Sequence, residues 1–194
     1  MARNTLTARG NLARWTGEAG DPAAARDQHA ALLPVDERVL GPEHPATLAA
    51  RASLARWTGQ AGDPAAARDQ YAELLSVDER VLGPEHPDTL AARVSLARWT
   101  GEAGDPAAAR DLLAALLPLR ERVLGPEHPR TLNARDSLAW WTGEAGDPAA
   151  ARDQYAALLA ALERVSGPEH PATVDARDGL ADWSSRVRRR RRVK

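Results

Sequence analysis

PATLAARASLARWTGQAGDPAAARDQYAELLSVDERVLGPEH, residues 45–86, decides the fold. Its first half, up to Thr58, is rich in good helix formers and has no internal glycine. Pro45 suits a first helical position, where its missing N–H costs nothing. Gly59 and Gly62 break the helix. Asp63-Pro64 restarts it, the aspartate capping free amides and the proline fitting the first turn. The second half places Tyr71, Leu74, Leu75, Val81 and Leu82 at helical spacing, and Gly83-Pro84 ends it. The stretch predicts a helix, a tight turn, a longer helix and a loop.

The pattern recurs along the chain. Trp15, Trp57, Trp99, Trp141 and Trp183 are each 42 residues apart, as are His44, His86, His128 and His170. Asp21, Asp63, Asp105 and Asp147 repeat at the same interval, each followed by Pro. A strict period of this length signals stacked supersecondary units. The predicted helices are 3–16, 22–40, 45–58, 64–82, 87–100, 106–124, 129–142, 148–166 and 171–185. The array is expected over 1–185, with repeats at about 3–44, 45–86, 87–128 and 129–170 and a capping helix at 171–185. The basic segment 186–194 is expected as a disordered tail. Pro34 and Pro118 stand inside second helices, where a kink or a break is expected.

Composition narrows the function. The 194 residues include no cysteine, which removes disulfides, thiolate zinc sites and a cysteine nucleophile. The N-terminus has no apolar core of signal-peptide type, no stretch reaches the roughly 18 apolar residues that span a bilayer, and a cytoplasmic protein without membrane partners is expected. Net charge is −1, but Arg186 to Lys194 holds seven basic residues and no acid, which leaves the body at −8.

Leu54-Ala55, Ala67 followed by Tyr71, Gly62 in the turn, and the loop string VLGPEHPDTL from Val81 to Leu90 carry a family resemblance. The chain resembles tetratricopeptide repeats of the 42-residue kinesin-light-chain variety. The resemblance implies an all-α, right-handed α-solenoid of four helix pairs plus a capping helix, acting as a protein- or peptide-binding scaffold. Arg51 and its equivalents Arg9, Arg93, Arg135 and Arg177 replace the family's early Trp, and Thr58 replaces its helix-ending Tyr. Similar arrays occur in bacterial proteins beside regulatory nucleotide-binding modules, so a sensing or assembly role in a larger system is expected. A bias toward Ala, Arg, Gly and Pro suggests a GC-rich genome, and the resemblance implies a bacterial, actinobacterial source. The segment itself holds no G-x-x-x-x-G-K-[ST], and its one lysine is Lys194.

Several recurring residues have plain structural readings. The four histidines lie on equivalent loops too far apart to share an ion, so they are expected to start helices, with no metal or cofactor bound. The tryptophans are expected in the core, with Trp140 more exposed, since Arg14, Arg56, Arg98 and Asp182 stand at its equivalents. The Arg51 series is expected to pair with a recurring acid such as Asp69 or Glu79. No catalytic grouping stands apart from the repeats, and no enzyme is expected.

Self-comparison of the first helices gives the candidate site. Three positions vary: Thr7, Ala49, Ala91, Asn133, Asp175; Gly10, Ala52, Val94, Asp136, Asp178; and Arg14, Arg56, Arg98, Trp140, Asp182. Their spacing puts them on one helical face. The resemblance implies that this face lines a ligand groove, with Arg14, Ala49, Ala52, Arg56, Ala91, Val94, Arg98, Asn133, Asp136 and Trp140 as candidates. The face changes from basic to acidic along the chain, which predicts a directional ligand or head-to-tail self-association. Nucleic acid is the alternative partner, through Arg186–Lys194.

Overall fold

The computed structural model describes residues 2–193, with side chains for 6–190. Nine helices and no strand occur among the described residues: α1 (Ala2–Glu18), α2 (Pro22–Leu40), α3 (Pro45–Gln60), α4 (Pro64–Val81), α5 (Pro87–Glu102), α6 (Pro106–Leu124), α7 (Pro129–Glu144), α8 (Pro148–Ser166) and α9 (Pro171–Val193). Odd-numbered helices are the first members of the pairs.

Each start is set by a local signal. Asp21, Asp63, Asp105 and Asp147 accept from the amide three residues on, at 2.9–3.0 Å, ahead of a proline at the first turn. The histidines do the same for first helices. Nδ1 of His44, His86, His128 and His170 accepts from the amide two residues on at 3.1–3.2 Å. Gly62 closes the intra-pair turn at φ +102°, a left-handed conformation that a side chain would strain.

The chain divides into two compact units, Met1–Ala103 and Gly104–Lys194. In the first, each helix from α1 to α5 packs on the next, and α3 also touches α1 and α5. Its core joins Leu48, Ala55, Ala67, Tyr71, Leu74, Ala92 and Trp99. In the second, α6 to α9 pack in sequence and α7 touches α9. Leu132, Ala139, Tyr155, Leu158, Leu162 and Trp183 anchor its core.

Successive first helices lock through one contact. The ring of Trp57 lies on Gly17, that of Trp99 on Gly59 and that of Trp183 on Gly143. A β-carbon on any of these glycines would fall 2.2–2.5 Å from ring atoms. Glycine is a poor helix former, so its place in the last turn of a first helix is explained by this close approach. Ion pairs add a second link between repeats: Arg51–Glu37 and Arg93–Glu79 at 2.7 Å, Arg135–Glu121 at 2.6 Å and Arg177–Glu163 at 3.3 Å. The acid is the Glu79 equivalent, whereas Asp69 pairs with its neighbour Arg68.

Two expectations are corrected and one is narrowed. Trp15 is 58% exposed, whereas Trp57, Trp99 and Trp141 are buried. Of the kink or break expected at Pro34 and Pro118, the break does not occur: both helices continue through the proline. The last helix does not end at 185: the segment expected as a disordered tail is helical to Val193, and Lys194 lies outside the described residues. The Gly-rich turn of other repeats is replaced there by Ser184-Ser185-Arg186-Val187, and Val187 is buried.

Gly59→Ala should destabilise the protein by at least about 1–3 kcal/mol through overpacking, and Trp99→Ala by about 3–5 kcal/mol through a cavity. The double variant should lose less than the sum, because the truncated ring no longer meets the new methyl. Urea denaturation of the four proteins checks this, and additive losses would show that the two residues are not in contact.

Candidate functional site

The varied first-helix face opens into clefts between successive first helices, floored by the intervening second helix. Between α1 and α3 the cleft has a volume of 430 Å³ and includes Thr7, Gly10, Arg14, Ala49, His29 and Asp36. Between α3 and α5 it measures 280 Å³ and includes Ala49, Ala52, Ala91, Tyr71 and Asp78. Between α7 and α9 it measures 260 Å³ and includes Asn133, Asp136, Asp175, Leu158 and Leu162. Of the candidates, Arg14, Ala49, Ala52, Ala91, Asn133 and Asp136 therefore line these clefts, whereas Arg56, Val94, Arg98 and Trp140 line none of the three.

The arginine row has a different setting from the one expected. The guanidinium carbons of Arg14, Arg56 and Arg98 lie 4.7, 4.2 and 4.8 Å from the ring centroids of Trp15, Trp57 and Trp99. Such stacking is favourable because the ring face is electron-rich. Trp140 is 40% exposed, as its variability predicts, yet its edge meets Trp183 with centroids 5.8 Å apart. Asp182 replaces the arginine in α9, and Arg186 stacks on Trp183 instead, 4.3 Å from its centroid. Arg186 also pairs with Glu144 at 3.0 Å and Asp182 at 2.9 Å.

The cleft floors hold residues that first-helix comparison could not find. One second-helix position carries His29, Tyr71, Leu113 and Tyr155, and another carries Asp36, Asp78, Arg120 and Leu162. Aligning second helices in the same way exposes both series. Burial lowers the proton affinity of His29, and the charge of Arg56 lowers it further. The Tyr71 hydroxyl donates to the Ala52 carbonyl at 3.0 Å. The Tyr155 hydroxyl donates to the Asp136 carboxylate. Burial raises the pKa of Asp136, with the charge of Asp175 adding to it and the Tyr155 bond opposing it.

Asp78, like His29 with its Nε2, has a buried polar atom without a hydrogen-bond partner. Its side chain is buried, at 3% residue exposure, and Oδ1 has no hydrogen-bond partner. Burial holds its carboxyl above the usual range; Asp88 adds to the shift and His86 opposes it. By contrast, the buried Arg120 guanidinium donates to the Arg130 carbonyl. No group of three or more metal-ligating side chains occurs among the described residues.

The model of the tetratricopeptide repeat matches residues 4–80, 60–122 and 103–164. No curated protein sequence matches the chain. Among solved structures, it is similar to a Podosopora anserina protein described as a kinesin light chain with nearly identical TPR-like repeats. The identity is 24%, the match covers 97% of this chain and 89% of the other, and the TM-score is 0.82. A single-substitution variant of that protein matches with a TM-score of 0.83 and the same identity and coverage. BtubC (BKLC) from P. vanneervenii is 17% identical, with 94% of this chain and 76% of the other covered and a TM-score of 0.70.

Asp78→Leu copies the residue already present at 162 and should stabilise the protein by about 1–3 kcal/mol at neutral pH, by removing an unsatisfied buried group. Because the folded carboxyl holds its proton more tightly than the unfolded one, the parent loses stability as pH rises through the folded value. The advantage of Asp78→Leu should therefore shrink as pH falls into the ordinary carboxylate range. Denaturation curves across acid to neutral pH check both size and direction.

Proposed function

The chain belongs to the tetratricopeptide repeat family, and from that membership we propose that it is a protein- or peptide-binding scaffold whose ligand enters the first-helix clefts. Tetratricopeptide repeats are non-catalytic scaffolds for protein–protein interaction. The observation that carries the proposal is the pattern of variation. Repeats that keep their tryptophans, glycines, caps and ion pairs almost unchanged differ at the cleft walls and floors. Packing requires the unchanged positions, while recognition is served by varied ones.

Each cleft has room for a side chain, and the one between α3 and α5 has small walls of Ala49, Ala52 and Ala91. The sensing or assembly role in a larger system, and the cytoplasmic setting, rest on the resemblance and composition alone. No described helix is long and apolar enough to cross a membrane. The alternative partner, nucleic acid bound by the basic end, is less favoured. Arg186 is engaged by two acids, and Arg190 donates to the Gly146 carbonyl at 2.8 Å, so those two cations already have contacts within the chain.

Head-to-tail self-association is also less favoured, at least through the contact that joins the repeats. Ser185 occupies the place of the glycine seat, and α9 continues past it.

Random peptides displayed on phage and selected on the full chain supply the test. Selected peptides should bind the parent in fluorescence polarisation. They should lose at least tenfold in affinity to the double variant Ala49→Arg and Ala91→Arg, whose substituted positions are exposed on the cleft walls. Ala72→Arg, on the exposed side of α4, should leave affinity unchanged. Failure to select any peptide, or equal binding to all three proteins, would remove the scaffold reading.

A further inference from the structure

The cleft between α3 and α5 contains a charge that the fold does not use. Asp78 is buried, lines this cleft, and presents an Oδ1 without a partner. We infer that this cleft is a binding pocket for a cationic side chain of a partner polypeptide, arginine or lysine, with Asp78 as its counter-ion. The inference rests on the scaffold reading and adds the chemistry of one residue of the ligand.

Packing does not explain the carboxylate. Leu162 occupies the equivalent position on α8 and joins the apolar core of its unit. A leucine there leaves no polar atom to satisfy, whereas a buried unpaired carboxylate opposes folding. The neighbourhood sharpens the mismatch. Asp88 lines the same cleft, and its equivalents are Ala46, Arg130 and Ala172, so stacking does not demand an acid there. Arg130 shows that the fold accepts a cation at that position. In the cleft with the buried Asp78, the position instead holds a second acid, which raises the negative potential and pushes the Asp78 carboxyl further toward its protonated form. An incoming cation relieves both effects.

The shape agrees with the charge. Ala49, Ala52 and Ala91 leave a cleft of 280 Å³, open enough to admit an aliphatic stem. Tyr71 lines the same cleft, and its hydroxyl is occupied by the Ala52 carbonyl, so it does not compete for Asp78. An aromatic ring in the same cleft as a buried carboxylate suits a guanidinium, which takes favourable contacts from both. The same composition disfavours an acidic side chain, which would add a third negative charge, and a purely apolar one, which would leave Asp78 buried without a partner.

The test uses N-acetyl-arginine methylamide and its neutral isostere, N-acetyl-citrulline methylamide, titrated into the full chain and followed by amide chemical shifts. Arginine should give saturable shifts at Ala49, Ala91 and Ser95, with citrulline at least tenfold weaker. Asp78→Asn and Asp78→Leu should each weaken arginine binding at least tenfold while melting no lower than the parent, so that lost binding does not reflect lost folding. Equal binding of citrulline, arginine shifts elsewhere, or undiminished binding by Asp78→Asn would overturn the inference. If displayed peptides bind the first-helix face yet ignore Asp78→Asn, this pocket assignment falls and the scaffold reading stands. If arginine binds through Asp78 while no displayed peptide is found, the pocket stands and the scaffold reading falls.

Discussion

A tryptophan ring resting on a glycine backbone is the constraint on which the arrangement of first helices depends. The tripeptide Trp-Thr-Gly carries both halves of the contact two residues apart: Trp57 lies on Gly17, while Gly59 receives Trp99. Any β-carbon at the seat would overlap the ring, so the last turn of a first helix accepts a poor helix former in exchange for close helix approach. Where the contact is not seen the surroundings differ: Trp15, whose ring lies on no glycine among the described residues, is largely exposed, and in α9, which continues to Val193, Ser185 stands in place of the glycine.

With stacking assigned to so few positions, the others separate by role. Aspartate and histidine caps start the helices, and Arg–Glu pairs such as Arg93–Glu79 tie each first helix to the second helix before it. These pairs are partly exposed and individually contribute about 0–1 kcal/mol, so they align the repeats more than they hold them. What remains is the lining of the clefts. That division makes comparison of the repeats with one another informative, because a position fixed by packing has the same neighbours in every unit.

The helical fold was legible in the sequence because its signals are local. Asp63-Pro64 and His86-Pro87 mark helix starts wherever they occur, and the interval between tryptophans gives the repeat without any tertiary knowledge. Trp15 was misread because burial belongs to a residue's neighbours and not to its place in a repeat: the rings of Trp57, Trp99 and Trp183 each lie on a glycine of another first helix. The end of α9 was misread because a run of arginines looks solvated in sequence, although Arg186 is held by Glu144, Asp182 and the Trp183 ring. The candidate site was half legible. First-helix comparison found Ala49, Ala52, Ala91, Asn133 and Asp136, while the floor residues Asp36 and Asp78 sit on second helices whose apolar spacing drew attention to Leu74 and Leu75 instead.

The electrostatic reading changes most between sequence and structure. A row of Arg14, Arg56 and Arg98 on one helical face reads as a basic strip awaiting an acidic ligand. In the folded chain each guanidinium is placed over the tryptophan beside it, where it covers an aromatic face and where removing it would disturb the packing. The arginine row is therefore partly structural, while Asp36 and Asp78 stand on the cleft floors. A ligand entering those clefts meets the floor at short range and low effective dielectric, whereas the exposed members of the row act through screened solvent. On the binding reading proposed above, the sign of the ligand's charge follows from the buried Asp78 and the half-buried Asp36, even though the arginines are the more conspicuous feature of the sequence.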